Sequence, residues 1–375
     1  MPASESLDGL YLGLISGTSA DGIDACAVEL RGAQVRLLGG RTYPWDEALR
    51  ARILRVSQHE PLVSLDEFGE LDTAVAEAFA AAALHLMHDF GLDANAIRAI
   101  GSHGQTLRHR PAGPLPFTLQ IGDPSRIAER TEQCVVADFR RRDVAAGGQG
   151  APLVPAFHRA VFADPTQARA VLNIGGIANL SLLGAGPVLG FDCGPGNGLM
   201  DAWCLRHRGQ GYDADGAFAA EGQPDAELLA RLLADDYLAL EPPKSSGRDR
   251  YHLAWLETQL DGRTLAPADV QASLLEFTAV SIAQALERWQ PEGRRVLICG
   301  GGVHNSRLMA RLAALLPARI VESTAAHGVD PDFVEAMTFA WLARETLSGR
   351  PGNLCEATGA RGPRVLGAVW AGGVL

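Results

Sequence analysis

Lysine is almost missing from this chain. Of its 33 basic residues only Lys244 is a lysine, so no Gly-Lys pair exists and a G-x-x-x-x-G-K-[ST] phosphate loop is excluded. No C-x-x-C occurs among the six cysteines, scattered at 26, 134, 193, 204, 299 and 355, which fits a reducing compartment better than a disulfide framework. No apolar run approaches the ~18 residues of a transmembrane helix. The opening MPASESLDGL has neither the basic start nor the apolar stretch of a secretory signal, so a cytoplasmic location is expected. Basic runs are absent too, and the net charge is −11; both argue against nucleic-acid and membrane partners, though a local site can still take an anionic ligand.

What is there is a chain of 375 residues, 47% hydrophobic and 21% charged, the composition of a globular protein long enough for two domains. Apolar runs at 11–16, 24–30 and 34–44 read as an antiparallel meander. A long helix should follow, with Leu65, Phe68, Leu71, Val75, Phe79 and Leu86 on one face and Gly91 as its stop. IRAIGS (97–102) reads as a buried strand feeding the loop HGQTLRHRP. Near residue 140 the composition turns to DFRRRDVAAGGQGAPLVP, and a junction is expected there, with an N-terminal lobe over 1–140 and a C-terminal lobe over 141–375. The chain's end is left free to pack back on the first lobe.

After the junction the opening pattern returns as strands at 168–176, 177–184 and 187–194; LGLISGTSADGIDACAVEL and AVLNIGGIANLSLL share an apolar strand, a small-residue turn and a second apolar strand. Helices are expected at 225–238, 267–289, 304–316 and 333–347, with strands at 294–301 and 318–323. The result is an α/β fold of two similar lobes.

Three Gly-rich turns follow apolar strands: GTSADG (17–22), GGIAN (175–179) and CGGGVHN (299–305). Glycine lets backbone N–H groups close on phosphate, and Thr18 and Ser19 offer hydroxyl donors; a lone turn of this type is more often a plain hairpin, but three of them on duplicated lobes point to a nucleotide cleft. GPGNG (194–198) lacks the G-x-G-x-x-G spacing of a dinucleotide fold. Asp21 and Asp24 flank Gly22: either they approach phosphate through Mg²⁺, or Asp21 holds its own turn. Asp192 ends a strand before a Gly-Pro-Gly turn, a good place for a general base. Glu335 opens a helix, where a carboxylate also suits the helix dipole. The histidines carry no metal spacing, and Ser19 has no evident His partner. Lys244, in EPPKSSGRD, is either a chance survivor or a position needing a compact ammonium that arginine's planar fork cannot imitate.

GLISGTSADGID closely resembles the G-x-M-S-G-T-S-x-D-G-x-D signature of the anhydro-N-acetylmuramic acid kinases, with Ile15 where methionine is usual. SHGQT, QIGDP, DFRRRDVAAGGQGAPLVP, LNIGGIANLS, FDCGPGNGLMDAW, PPKSSGRDRY and CGGGVHN follow in the family's order; Cys193 and Gly198 stand where threonine is commoner. The resemblance implies two duplicated lobes of the actin-like ATPase (ribonuclease H-like) type with an ATP cleft between them. It implies ATP-dependent conversion of 1,6-anhydro-N-acetylmuramic acid to N-acetylmuramic acid 6-phosphate, with ATP and Mg²⁺ as cofactors and a homodimer as the expected assembly. In those terms Gly17, Thr18, Ser19, Ala20, Asp21, Gly22, Ile23 and Asp24 form the first ATP phosphate loop and Gly175 and Gly176 the second, while Gly300, Gly301, Gly302 and Asn305 meet the adenosine. Asp192 is the base, Glu335 contacts the sugar, Gln149 and the arginines 140–142 are candidates for the sugar's substituents, and Asp21 is the metal candidate. Two other readings stay open: an ordinary hexose or glycerol-type kinase, and an ATP-driven switch like the heat-shock members, whose separate peptide-binding domain has no counterpart here.

Overall fold

The run GLYLGLIS is apolar at both alternating positions because it forms β1 (Gly9–Ser16), a central strand covered on both faces. In the computed structural model, which describes residues 7–59, 62–242, 244–246 and 250–373, β1 pairs antiparallel with β2 (Ile23–Arg31), and β2 with β3 (Gln34–Tyr43). On its other side β1 runs parallel to β4 (Ile97–Arg110), which pairs antiparallel with β5 (Phe117–Ile121) and parallel with β6 (Val135–Ala137). Further along, β7 (Arg169–Ile174), β8 (Ile177–Leu183) and β9 (Leu189–Pro195) repeat the antiparallel meander, and β10 (Arg295–Cys299) and β11 (Ile320–Ser323) extend it in parallel. Last, β12 (Ala368–Trp370) joins the first sheet beside β6.

The strand orders are therefore β3-β2-β1-β4-β6-β12 and β9-β8-β7-β10-β11. A three-stranded meander extended by parallel strands is the ribonuclease H-like pattern, and its appearance twice in one chain is the duplicated fold of the actin-like ATPases. The repeat read from the two hairpin sequences is thus real in the topology: β1–β2 and β7–β8 are equivalent.

Side-chain alternation decides what covers each face of the first sheet. Leu12 and Leu14 join the core with Leu71, Val75, Phe79 and Leu86 of the helix Leu65–Asp89, which starts at a Ser64 cap on the Glu67 N–H (3.1 Å). Leu65 itself, expected on that stripe, is exposed. Gly13 and Gly101 point the other way, onto the helix Val334–Leu347. A Cβ at Gly13 would stand 1.9 Å from the Ala336 carbonyl oxygen, and one at Gly101 2.0 Å from that of Phe339. The second unit builds its own core on the face of its sheet that carries Leu172, Leu180 and Val296, largely with the helix Pro267–Trp289.

Three expectations need correction. The chain divides not at 140 but between Val161 and Phe162, and it returns to the first unit at Phe333. The Arg/Gly-rich segment is no boundary: the buried Asp143 carboxylate accepts from Gly150 N (2.7 Å), Asn353 Nδ2 (2.7 Å) and Thr358 Oγ1 (2.8 Å), tying that loop into the first unit. HGQTLRHR is not a loop but the second half of β4, turning through Gly104 (φ +74°) and pairing with an unforeseen β5. The helix expected at 225–238 breaks into Ala226–Leu233 and Asp236–Ala239, because Asp235 caps the second piece at Tyr237 N (2.9 Å).

Candidate functional site

In the first unit, residues 17–22 are the turn of the β1–β2 hairpin, closed by Ala20 N on Gly17 O at 3.1 Å. Ala20 takes a left-handed φ of 49°, and Gly22 is forced by Thr42, whose Cγ2 would lie 2.4 Å from a Cβ there. The turn is held from below: Gln105 Nε2 donates to Gly17 O (3.1 Å) and Arg50 Nε to Ala20 O (2.8 Å). Gly17 and Thr18 are exposed, and neither the Thr18 nor the Ser19 hydroxyl has a hydrogen-bond partner among the described residues. A rigid turn with spare donors at its tip suits an anion.

The two aspartates differ. Asp21 is exposed and meets Arg50 Nη2 at 3.4 Å; Asp24 accepts from Thr42 Oγ1 at 2.6 Å and lies within electrostatic reach of Glu335. No group of three His, Cys, Asp or Glu side chains capable of holding a metal occurs among the described residues. One exposed carboxylate beside an anion-accepting turn fits Mg²⁺ bound mainly through phosphate oxygens and water.

Glu335 and Arg140 form the second feature of this unit. Although exposed, Glu335 is crowded by protein that pushes its carboxyl above the ordinary value; Arg140 opposes that shift and Asp24 adds to it. Arg140 is aimed by two bonds, Nε to His103 Nε2 (2.8 Å) and Nη1 to Gly150 O (2.8 Å). His103 shares its Nδ1 proton with Gly104 O (2.9 Å), so Nε2 is the acceptor, and burial with the adjacent guanidinium keeps the ring neutral. Burial pushes Arg140 down to about 10, which leaves it charged at neutral pH. Gln149 is exposed beside Gly150, its backbone N–H fixed on Thr358 O (2.8 Å).

In the second unit three turns meet at one end of the sheet. Gly176 O accepts from Gly196 N (3.0 Å) and Gly198 N (3.1 Å), and Gly175 O from Asn197 N (2.7 Å). A Cβ at Gly196 would stand 2.2 Å from Gly175 O, and one at Gly300 2.3 Å from Asn173 Oδ1. Beside them is a cavity of about 400 Å³ lined by Asn197, Met200, Tyr212, Asp215, Gly301 and Asn305, among others. Of the four residues expected at the adenosine, Gly301 and Asn305 line it. Gly300 and Gly302 serve close packing against Asn173 and Ile174, and Asn305 Oδ1 is committed to capping Leu308 N (3.0 Å). Tyr212 and Asp215 carried no sequence signal, and Met200 was read only as part of the FDCGPGNGLMDAW motif, since tertiary folding brings these residues together at the cavity.

Asp192 lies on β9, half-buried. Its Oδ2 accepts from Ser246 N (2.8 Å) and Ser245 Oγ (3.2 Å), while Oδ1 accepts no hydrogen bond among the described residues. Burial raises its pKa above the usual carboxylate value, against the lowering effect of the two serine donors and the Lys244 charge. Its main chain is clamped as well, N–H to Lys244 O (3.1 Å) and C=O from Tyr237 Oη (2.9 Å). Gly247, Arg248 and Asp249 of the PPKSSGRDRY motif lie outside the described residues, as does Pro243.

Comparison with known proteins shows the family. The family described as anhydro-N-acetylmuramic acid kinase matches residues 9–372. Proteins of that name from Xanthomonas campestris pv. campestris (strain 8004), Xylella fastidiosa (strain Temecula1) and Pseudomonas paraeruginosa are 58%, 56% and 52% identical to this chain, each over 96% of it and over 97%, 96% and 98% of their own lengths. That match spans both hairpin turns and the Asp192 strand entire, and the chain is a kinase that belongs to the anhydro-N-acetylmuramic acid kinase family.

Proposed function

We propose that this kinase opens the 1,6-anhydro bridge of 1,6-anhydro-N-acetylmuramic acid with water and phosphorylates the freed O6 from ATP. The product is N-acetylmuramic acid 6-phosphate, and the setting is peptidoglycan recycling and amino-sugar catabolism in the cytoplasm. The carrying observation is Asp192: a carboxylate with one oxygen held by donors, the other open, and a pKa raised by burial. Such a group suits general-base work.

The anhydro sugar has no hydroxyl at O6, so O6 cannot be deprotonated to attack phosphorus. Asp192 Oδ1 instead takes a proton from water while the water oxygen bonds to C1. The C1–O6 bond breaks, and its electron pair goes to O6. O6 then attacks the γ-phosphorus in line, the bond to the β-phosphate oxygen breaks, and ADP leaves. Gly17 to Asp24 are assigned to ATP phosphate through backbone N–H groups and the Thr18 and Ser19 hydroxyls, and Gly175 and Gly176 are assigned as a second phosphate turn. Gly301 and Asn305, with Gly300 and Gly302 shaping the turn, are assigned to the adenosine. Glu335 contacts the sugar, and Arg140 and Gln149 are assigned to its substituents. Asp21 would hold Mg²⁺, which when bound neutralises phosphate charge.

Among the described residues no helix is long and apolar enough to cross a membrane. A homodimer is part of the proposal and is checked by sedimentation. The function is tested by supplying Mg-ATP with either the anhydro sugar or free N-acetylmuramic acid. Phosphorylation of the anhydro sugar supports the proposal; phosphorylation of the free sugar alone would make this an ordinary sugar kinase.

A further inference from the structure

The single lysine lies next to the proposed base, and its bonds are specific. Lys244 is half-buried, and its Nζ donates to the carbonyls of Tyr237 (3.0 Å) and Leu238 (3.1 Å), on the short helix Asp236–Ala239. The same ammonium lies 4.7 Å from the centre of the Tyr237 ring. One residue back from the two serines, it is therefore pinned on three sides: by those carbonyls, by the aromatic face, and by its own C=O accepting from Asp192 N. Tyr237 closes the loop of contacts, because its hydroxyl donates to Asp192 O.

The contacts ask for an ammonium. Two carbonyls and a π face converge on one point, which a compact three-donor cation meets and a planar guanidinium, larger and forked, does not. The other 32 of the chain's 33 lysine and arginine residues are arginines, so this is the one position where the chain carries an ammonium side chain.

We propose that Lys244 is a positioning residue for Asp192: by bonding the Tyr237 and Leu238 carbonyls it holds the Ser245 and Ser246 donors on Oδ2 and leaves Oδ1 as the oxygen that takes the proton from water. The inference rests on the reading of Asp192 as the base. Without the ammonium, the serine segment keeps only the backbone bond from Asp192 N to Lys244 O, and the donors on Oδ2 are held less firmly. The donors that favour the charged carboxylate are weakened at the same time, so Asp192 protonates at higher pH.

The test is the pH dependence of turnover on the anhydro sugar with Mg-ATP for Lys244→Met, Lys244→Arg and Ser245→Ala, beside Asp192→Asn. Lys244→Met should lower kcat roughly 10- to 100-fold, a part of the general-base contribution, with KM for ATP unchanged. Its acidic limb of kcat/KM should lie about one pH unit higher. Lys244→Arg should move both quantities the same way although it keeps the charge. Ser245→Ala should raise the limb by less, and add nothing once Lys244 is Met. An unmoved limb and wild-type kcat in Lys244→Met overturn the proposal, as does full activity of Lys244→Arg. If Lys244→Met does not fold, Ser245→Ala decides alone, and an unmoved limb there overturns it. Full turnover of Asp192→Asn removes the base reading and the positioning role together; an inactive Asp192→Asn beside an unaffected Lys244→Met removes the positioning role only.

Discussion

A base that must strip a proton from water needs two opposed things: enough burial to raise its affinity for the proton, and enough donors to stay ionised beforehand. Asp192 has both, with desolvation raising its pKa and Ser246 N–H, the Ser245 hydroxyl and Lys244 restraining the rise. Asp192→Asn should lose about 10²–10⁴-fold in kcat while binding ATP normally, as checked by titration calorimetry with a non-hydrolysable analogue. The sign with pH follows. The working form is the carboxylate, and its folded pKa lies above the ordinary aspartate value of about 3.9. Activity should therefore fall as pH drops, at a higher pH than an unperturbed aspartate would give; a kcat/KM profile flat down to pH 4 would contradict this. In the other unit, Glu335→Gln should raise KM for the sugar by about tenfold or more and leave KM for ATP unchanged, measured by varying each substrate in turn. At this scale both carboxylates were legible as candidates, Glu335 at the start of its helix, whereas Asp192, expected at a strand end, lies inside β9 because the strand runs on to Pro195. Their partners were not: Ser245 and Ser246 come 53 and 54 residues after Asp192, and His103 precedes Arg140 by 37. Periodicity does not carry contacts over such separations.

Elements were legible where one local rule sufficed. The β1–β2 and β7–β8 hairpins announce themselves by apolar runs around small-residue turns, and the helices Leu65–Asp89 and Pro267–Trp289 by their recurring apolar residues. Elements defined by a tertiary partner were harder to see. β4 runs on through HGQTLRHR only because β5 pairs with it, and the break at Asp235 reflects a cap coupled to an ion pair with Arg250. The Arg/Gly-rich segment looked like a linker because nothing local shows that Asp143 would be buried among three donors. The closest element contact makes a prediction. Gly13→Ala sets a methyl against the Ala336 carbonyl, which backbone cannot yield cheaply, so it should cost about 3 kcal/mol in urea unfolding. Gly69→Ala, on an exposed stretch with no atom within 4 Å, should not destabilise. Equal stability of the two variants would mean that the helix Val334–Leu347 is not seated on β1 as described.

Across the whole molecule, one sheet topology is used twice, and the proposed chemistry is divided between the copies. The exposed hydroxyl turn and Glu335 belong to the unit that ends and resumes at Val161 and Phe333; Asp192 and the cavity near Gly301 belong to the unit Phe162–Asp332. This division was half legible. The repeat of the hairpin showed that there were two copies, but the return of the chain to the first unit after Asp332 leaves no mark in composition. The central claim is that water, activated by Asp192, opens the bridge at C1 before O6 receives phosphate. Its most direct test is to run the reaction on the anhydro sugar with Mg-ATP in ¹⁸O-water and locate the label by mass spectrometry of the initial product, before anomeric exchange. One ¹⁸O on C1 and an unlabelled phosphate on O6 is the predicted result. An initial product with no label at C1 would contradict it.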